Sequence, residues 1–307
     1  MTPRLRLFLV TLSIVVAALA MWLWLDNFNV SMADFRLLYE RLQWWPLPFL
    51  FVFLAGHVAL ASWRWSIIEQ GLSGQRPAFA HAFAAGGLAL GLGTFLPAPV
   101  VNIACRSLTN RVNGMSSLRG ALSGLADQLA DLAVIALLAV PAAIALNYRD
   151  LGFFLGGALA ATLLGLAIVI QLPKLVHTQY YPIQLQKAAP LFERSLLFKI
   201  YGISLLRVAN LVVMTLAIHA AVGAASISAI VIGTPLITLA ISIAMLPGAI
   251  GASEWSFSAV FSAYGIPKAD IVIFVLANRV VLTGLSLLLM LIVLIAMARK
   301  LLVRPSA

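Results

Sequence analysis

Long apolar runs separated by short polar stretches dominate this chain, at residues 7–25, 45–61, 79–96, 118–146, 151–172, 196–222, 227–246, 249–264 and 271–298. About 20 apolar residues let an α-helix cross a hydrocarbon core, where a helix satisfies its own backbone hydrogen bonds. The pattern predicts an all-α polytopic integral membrane protein. Two runs break at proline, at Leu96-Pro97 and Leu246-Pro247, and each break is followed by a further apolar segment carrying ionisable residues. These breaks predict two proline-tipped helical hairpins.

The first run follows Arg4 and Arg6 and contains Ala18-Leu19-Ala20, a small-residue pattern like a signal-peptidase site. Apolar residues continue through Met21, Trp22 and Trp24, which predicts an uncleaved signal anchor ending in an aromatic belt. After the second run, Trp63-Arg64-Trp65 suits the headgroup layer. The whole chain, 1–307, then forms one transmembrane domain with no soluble domain. Two spans lie in 1–62, a hairpin plus a span in 79–146, two spans in 151–222, and a second hairpin plus a span in 227–298.

Composition agrees with this class. Hydrophobic residues make up 63% of the chain and charged residues 10%, with a mean hydropathy of +1.04. Too little polar surface remains for a soluble globule. The net charge of +10 does not indicate nucleic acid, because Lys and Arg lie in short stretches between apolar runs, as in cytoplasmic loops. Cys105, the single cysteine, excludes an intrachain disulfide and a cysteine metal cluster.

Loop charge arbitrates whether the segment 79–96 crosses the bilayer or dips in and returns. If both hairpins return, six segments span, and fourteen Lys/Arg fall on the cytoplasmic side against four outside. If the segment crosses, the tally becomes six inside against twelve outside. The positive-inside rule favours re-entry, with both termini cytoplasmic. The first hairpin then enters from the cytoplasm and the second from outside, an inverted repeat. Pro97 precedes Asp127 by 30 positions and Pro247 precedes Arg279 by 32, so Asp127 and Arg279 hold similar places in the two halves. Broken helices in such repeats commonly expose backbone to a substrate near the midplane. The alternative is that Gly86, Gly87, Gly91, Gly93 and Pro97 serve only close packing and a turn.

Each ionisable residue in these segments costs roughly 3 kcal/mol or more at the bilayer centre unless paired or hydrated. Asp127 and Asp131 lie one helical turn apart, Arg207 lies within its span, Arg106 and Glu254 lie on the return limbs, and Arg279 lies beside Asn278. Three acids face three bases in this set. It can be a structural network of ion pairs, or a polar path where a headgroup competes for the arginines. Arg207 and Arg279 suit an anionic phosphate; Asp127 and Asp131 suit a cationic headgroup or protons. The four histidines, His57, His81, His177 and His219, are scattered, which argues against a metal site. No hydrolase, P-loop or protease motif argues for an enzyme. The polar stretch 173–199, the longest cytoplasmic loop, suits contact with anionic lipid or a cytosolic partner. Gly156, Gly157, Ala160 and Ala161 allow close helix contact.

At the hairpins the chain resembles the transmembrane, flippase-type domain of lysylphosphatidylglycerol synthases, a family with stand-alone YbhN-like members. The resemblance spans nearly the full length. It rests on Arg64-Trp65, on Leu96-Pro97 with Arg106 nine residues on, on Leu246-Pro247-Gly248 with Gly251 and Glu254, and on Gly265-Ile266-Pro267 followed by Arg279. Residues 98–103 replace the family's glycine-rich stretch with an acid, Ser253 stands where many members have arginine, and Gln128 follows Asp127 where an acid-arginine pair is common. These departures bear on the substrate more than on the fold.

The resemblance implies translocation of a lipid or lipid-linked intermediate between leaflets, without cofactor, and the loop charges suit a bacterial inner membrane. The path would be marked by Pro97, Arg106, Asp127, Asp131, Arg207, Pro247, Glu254 and Arg279, with Arg106, Arg207 and Arg279 meeting the headgroup together. The synthases' aminoacyl-transfer domain has no counterpart in the sequence, so lipid synthesis is not implied. The alternative is a non-transporting partner or scaffold for a glycosyltransferase or lipid-modifying enzyme.

Overall fold

The computed structural model describes residues 3–176 and 192–302, and contains no strand among them. The helices are α1 (Pro3–Asn27), α2 (Met32–Arg41), α3 (Pro46–Ser73), α4 (Phe79–Leu92), α5 (Ala98–Val112), α6 (Ser117–Tyr148) and α7 (Leu151–Val176). They continue with α8 (Arg194–Val222), α9 (Ile227–Ala244), α10 (Ala252–Ala263) and α11 (Lys268–Leu302). Six are long and apolar enough to span a membrane: α3, α6, α7, α8, α9 and α11. The chain is a multi-pass membrane protein.

The number of spans is the expected one but the membership differs. Helix α9, expected as a hairpin limb, has 18 residues and continues through Pro235, so by length it qualifies as a span. The described apolar part of α1, Thr11–Asn27, qualifies only together with α2, from which it is bent by 82°. The polar stretch expected at 173–199 is shorter than it reads, because α7 runs to Val176 and α8 starts at Arg194; Lys187 lies outside the described residues.

Both proline-tipped breaks are helical hairpins. At 1.5 Å per residue, α4 and α5 reach roughly 21 and 22 Å and α10 roughly 18 Å, each short of a hydrocarbon core of about 30 Å. The α4–α5 turn closes with the Gly93 N–H donating to Ala89 O and the Leu96 N–H to Leu92 O. The second turn carries left-handed φ at Met245, Gly248, Ala249 and Gly251, and a short 3-10 turn at Pro247–Ala249. The two tips touch: the Gly248 N–H donates to Leu96 O at 3.4 Å.

At Gly248, with φ of 58°, a Cβ would overlap the carbonyl oxygen of Thr94 on the opposing tip. Gly248→Ala is therefore expected to cost about 2 kcal/mol or more, from the left-handed backbone and the clash together. A thermal melt of the detergent-purified protein would show it; an unchanged midpoint would mean that the tips do not meet in this way.

The helices pack by small residues. Added Cβ atoms at Gly86 and Gly87 would press at 2.9 Å on Val58 and Ser62 of α3 and on Val293 of α11, so these glycines serve close approach. Gly157 does the same against Pro141 within the chain. The largest apolar core joins Trp24, Leu50, Leu54, Ile218, Phe257, Phe261 and Phe274. Trp24, expected in an aromatic belt, is fully buried and donates its indole N–H to Ser258 Oγ at 2.8 Å, whereas Trp22 is exposed. One end of the bundle is tied by Arg41 Nη1 donating to Asp270 Oδ1 at 2.8 Å.

Candidate functional site

The ionisable residues fall into two clusters, one around α6 and one at the second hairpin tip. The first is built on the middle of α6. Along that helix Asp127 lies ten residues after Ser117, roughly 15 Å in, and Asp131 one turn further. Helix α5 brings Arg106 to Asp127, and α8 brings Arg207 to Asp131, each as an ion pair. Arg64 of α3 sits between the two acids. Its Nε donates to Asp127 Oδ1 at 2.6 Å, its Nη2 to the Asp127 backbone carbonyl at 2.9 Å, and its Nη1 to Ser204 Oγ at 2.6 Å and to Asp131.

Arg64 was expected in the headgroup layer beside two tryptophans. The structure corrects this: Arg64 and Trp65 are wholly buried, and only Trp63 faces outward. The physical reason is that α3 does not end near Ala61 but runs to Ser73. Its buried face continues unbroken through Leu50, Leu54, Val58, Ser62, Trp65 and Glu69, at spacings of three and four. That spacing is visible in the sequence and could have placed Arg64 and Glu69 inside.

Including Arg64 changes the charge count. Three guanidiniums now surround two carboxylates. Arg207 also meets a histidine: its Nη2 lies 2.8 Å from His57 Nε2, while its Nε meets no acceptor among the described residues. Beyond Arg106, whose guanidinium lies 5.5 Å from the Trp65 ring centre, the Trp65 indole N–H donates to Ser123 Oγ at 2.8 Å. Ser123 in turn donates to the fully buried Glu69, a residue the sequence reading did not single out.

The second cluster is smaller and more exposed. Arg279, eleven residues into α11, donates through Nε to Glu254 Oε1 of α10 at 2.7 Å. Its Nη1 donates to the Gly248 carbonyl at 2.6 Å and its Nη2 to Ser253 Oγ at 2.8 Å. Glu254 is consumed internally, since its other oxygen accepts the Gly251 N–H at 2.7 Å. Arg279 thus fastens the second hairpin tip to α11 while a quarter of its side chain stays accessible.

Each half therefore ties the limb after its turn to the long helix that follows, with the signs exchanged. Arg106 on α5 meets Asp127 on α6, and Glu254 on α10 meets Arg279 on α11. The structure does not bring Arg106, Arg207 and Arg279 to one place. Arg106 and Arg207 belong to the internal network, and Arg279 alone lines a space between the hairpins. Pro97 and Pro247 stand at the tips: Pro97 caps α5, and Pro247 is buried at the start of its short turn.

That space is an open crevice of about 240 Å³. One wall is the first hairpin, at Gly93, Thr94, Ala98 and Asn102; another is the second tip, at Gly248, Ala249 and Ser253; the third is α11. Helices α5 and α10 both begin beside it, and the Glu254 carboxylate caps the start of α10. A shallower groove of about 360 Å³, at Ala59, Leu60, Trp63, Arg76 and Phe79, lies apart from both clusters. Among the described residues no group of three or more His, Cys, Asp or Glu could hold a metal ion.

A family model described as the lysylphosphatidylglycerol synthase TM region matches residues 10–298. No curated protein and no solved structure matches the chain.

Proposed function

Because the chain belongs to the lysylphosphatidylglycerol synthase TM region family, we propose that it is a translocase, not an enzyme, moving a lipid or lipid-linked intermediate with a charged headgroup between leaflets. The crevice between the two hairpin tips carries this reading. It sets one guanidinium, Arg279, and several hydroxyl and amide groups in an otherwise apolar lining, and the neighbouring tip residues Phe95, Leu96 and Met245 are exposed. A few polar groups set in a largely apolar lining suit an amphiphile whose acyl chains stay in the bilayer.

In this reading the hairpins are re-entrant from opposite faces and form an inverted repeat, both termini are cytoplasmic, and the membrane is a bacterial inner membrane. The loop charges support that topology. Movement is a rocking of one half against the other about the tips. The first cluster keeps the register of α3, α5, α6 and α8 while this happens; it is not the headgroup's path.

Reconstitution tests the proposal. Proteoliposomes carrying fluorescent lipids, quenched from outside, should lose the inner-leaflet signal that empty vesicles retain. If anionic, cationic and polyprenyl-linked probes all keep that signal at the empty-vesicle level, translocation is wrong, and the scaffold reading takes its place.

A further inference from the structure

Beyond the guanidinium, the crevice has a feature that a site for bare phosphate would not need. Arg279, Thr283 and Ser286 follow one another along one face of α11 at spacings of four and three, with Asn278 at its edge, and all four line the crevice. The stripe is roughly 10 Å long. Past it the same helix turns apolar, with Met290 and Val293 set against the glycines of α4. Thr283, Ser286 and Asn278 make no side-chain hydrogen bond among the described residues. Hydroxyls within helices elsewhere in this protein, such as Thr234, Thr238 and Ser242, bond back to a carbonyl one turn earlier. Hydroxyl and amide groups that line a crevice and are not spent on their own helix are available to donate to and accept from a ligand.

The charge around them is equally selective. Among the described residues Arg279, itself paired with Glu254 but a quarter accessible, is the one charged residue lining the crevice. No acid there is open to a cation: Glu254 is spent on Arg279 and Gly251, and Asp127 and Asp131 are enclosed by three arginines.

We infer that the crevice binds a phosphate ester whose remaining headgroup is a neutral polyol, either glycerol or a sugar, with the phosphate at Arg279 and the hydroxyls along Asn278, Thr283 and Ser286. This rests on the translocase reading for how the lipid reaches and leaves the site, but the headgroup chemistry stands on the lining alone. A cationic, aminoacylated headgroup is disfavoured because it would find no acid and would face the guanidinium.

The test uses the full chain in proteoliposomes with four labelled probes: phosphatidylglycerol, a polyprenyl-phosphate hexose, phosphatidic acid and an aminoacylated phosphatidylglycerol. Native mass spectrometry of the purified protein with the same lipids reads binding separately. Either of the first two should move and bind at least about tenfold better than the last two, and which one wins identifies the source. Thr283→Val and Ser286→Ala should each remove up to about tenfold of that preference, since each deletes one hydrogen-bonding group. An unchanged thermal midpoint in these variants separates recognition from folding.

The inference fails if the aminoacylated lipid or phosphatidic acid moves equally well, or if both variants keep the preference. Selective binding with no movement of any probe upholds the polyol-phosphate site and sinks translocation. Neither binding nor movement sinks both.

Discussion

Asp127→Asn is expected to destabilise the protein by about 3–5 kcal/mol, the cost of breaking a buried ion pair from one side. The same substitution made on its partners, Arg64→Gln or Arg106→Gln, should cost less. The asymmetry follows from the count of charges. Asp127 is wholly buried and serves Arg64 and Arg106 together, so removing it leaves three guanidiniums to Asp131 alone. Removing either arginine leaves two charges of each sign. Asparagine keeps the shape and one carbonyl acceptor, so the loss measures charge and not cavity. Thermal or denaturant melts of the three variants in one detergent would rank them. Equal losses would mean that packing around α6, not charge, holds the cluster.

The second large effect belongs to Arg279. Arg279→Gln should drop lipid movement to the empty-vesicle rate and lower the thermal midpoint, because Glu254 is then left buried without its cation and the Gly248 carbonyl without its donor. Truncating one partner of such a pair costs about 2–5 kcal/mol. Glu254→Gln combined with Arg279→Gln removes both charges, so stability should return while movement stays absent. Lysine at 279 should rescue poorly, since one ammonium cannot reach Glu254, Ser253 and the tip carbonyl together in the way a planar guanidinium does. A double variant that recovered movement would reduce Arg279 to a structural tie and remove the main support for a headgroup site.

Much of this architecture is legible before any coordinates. The apolar runs mark the helices, the two Leu-Pro breaks mark the hairpin tips, and the cost of charge in hydrocarbon picks out Asp127, Asp131 and Arg279. Helix phase says which residues share a face, but not which helix that face meets. That is why Arg106, Arg207 and Arg279 read as one group, although α5 and α8 turn the first two toward α6 and α11 carries the third to another place. Arg64 is obscured by its neighbours. Next to Trp63 and at the end of an apolar run it looks interfacial, and only the continuation of the buried stripe to Glu69 shows that the helix goes on. Likewise, length and composition do not distinguish a hairpin limb of 18 residues from a span, so α9 passes as either.

The exchange of signs between the halves bears on how the chain assembles. Two units of similar plan, each a hairpin followed by a long helix, run the risk of docking the wrong limb on the wrong helix while the membrane segments are still finding partners. Here that error is penalised on both sides. Limb α5 laid against α11 would press Arg106 on Arg279, and limb α10 laid against α6 would press Glu254 on Asp127, like charge against like in a medium that screens neither. The native partnering is the one in which both contacts attract.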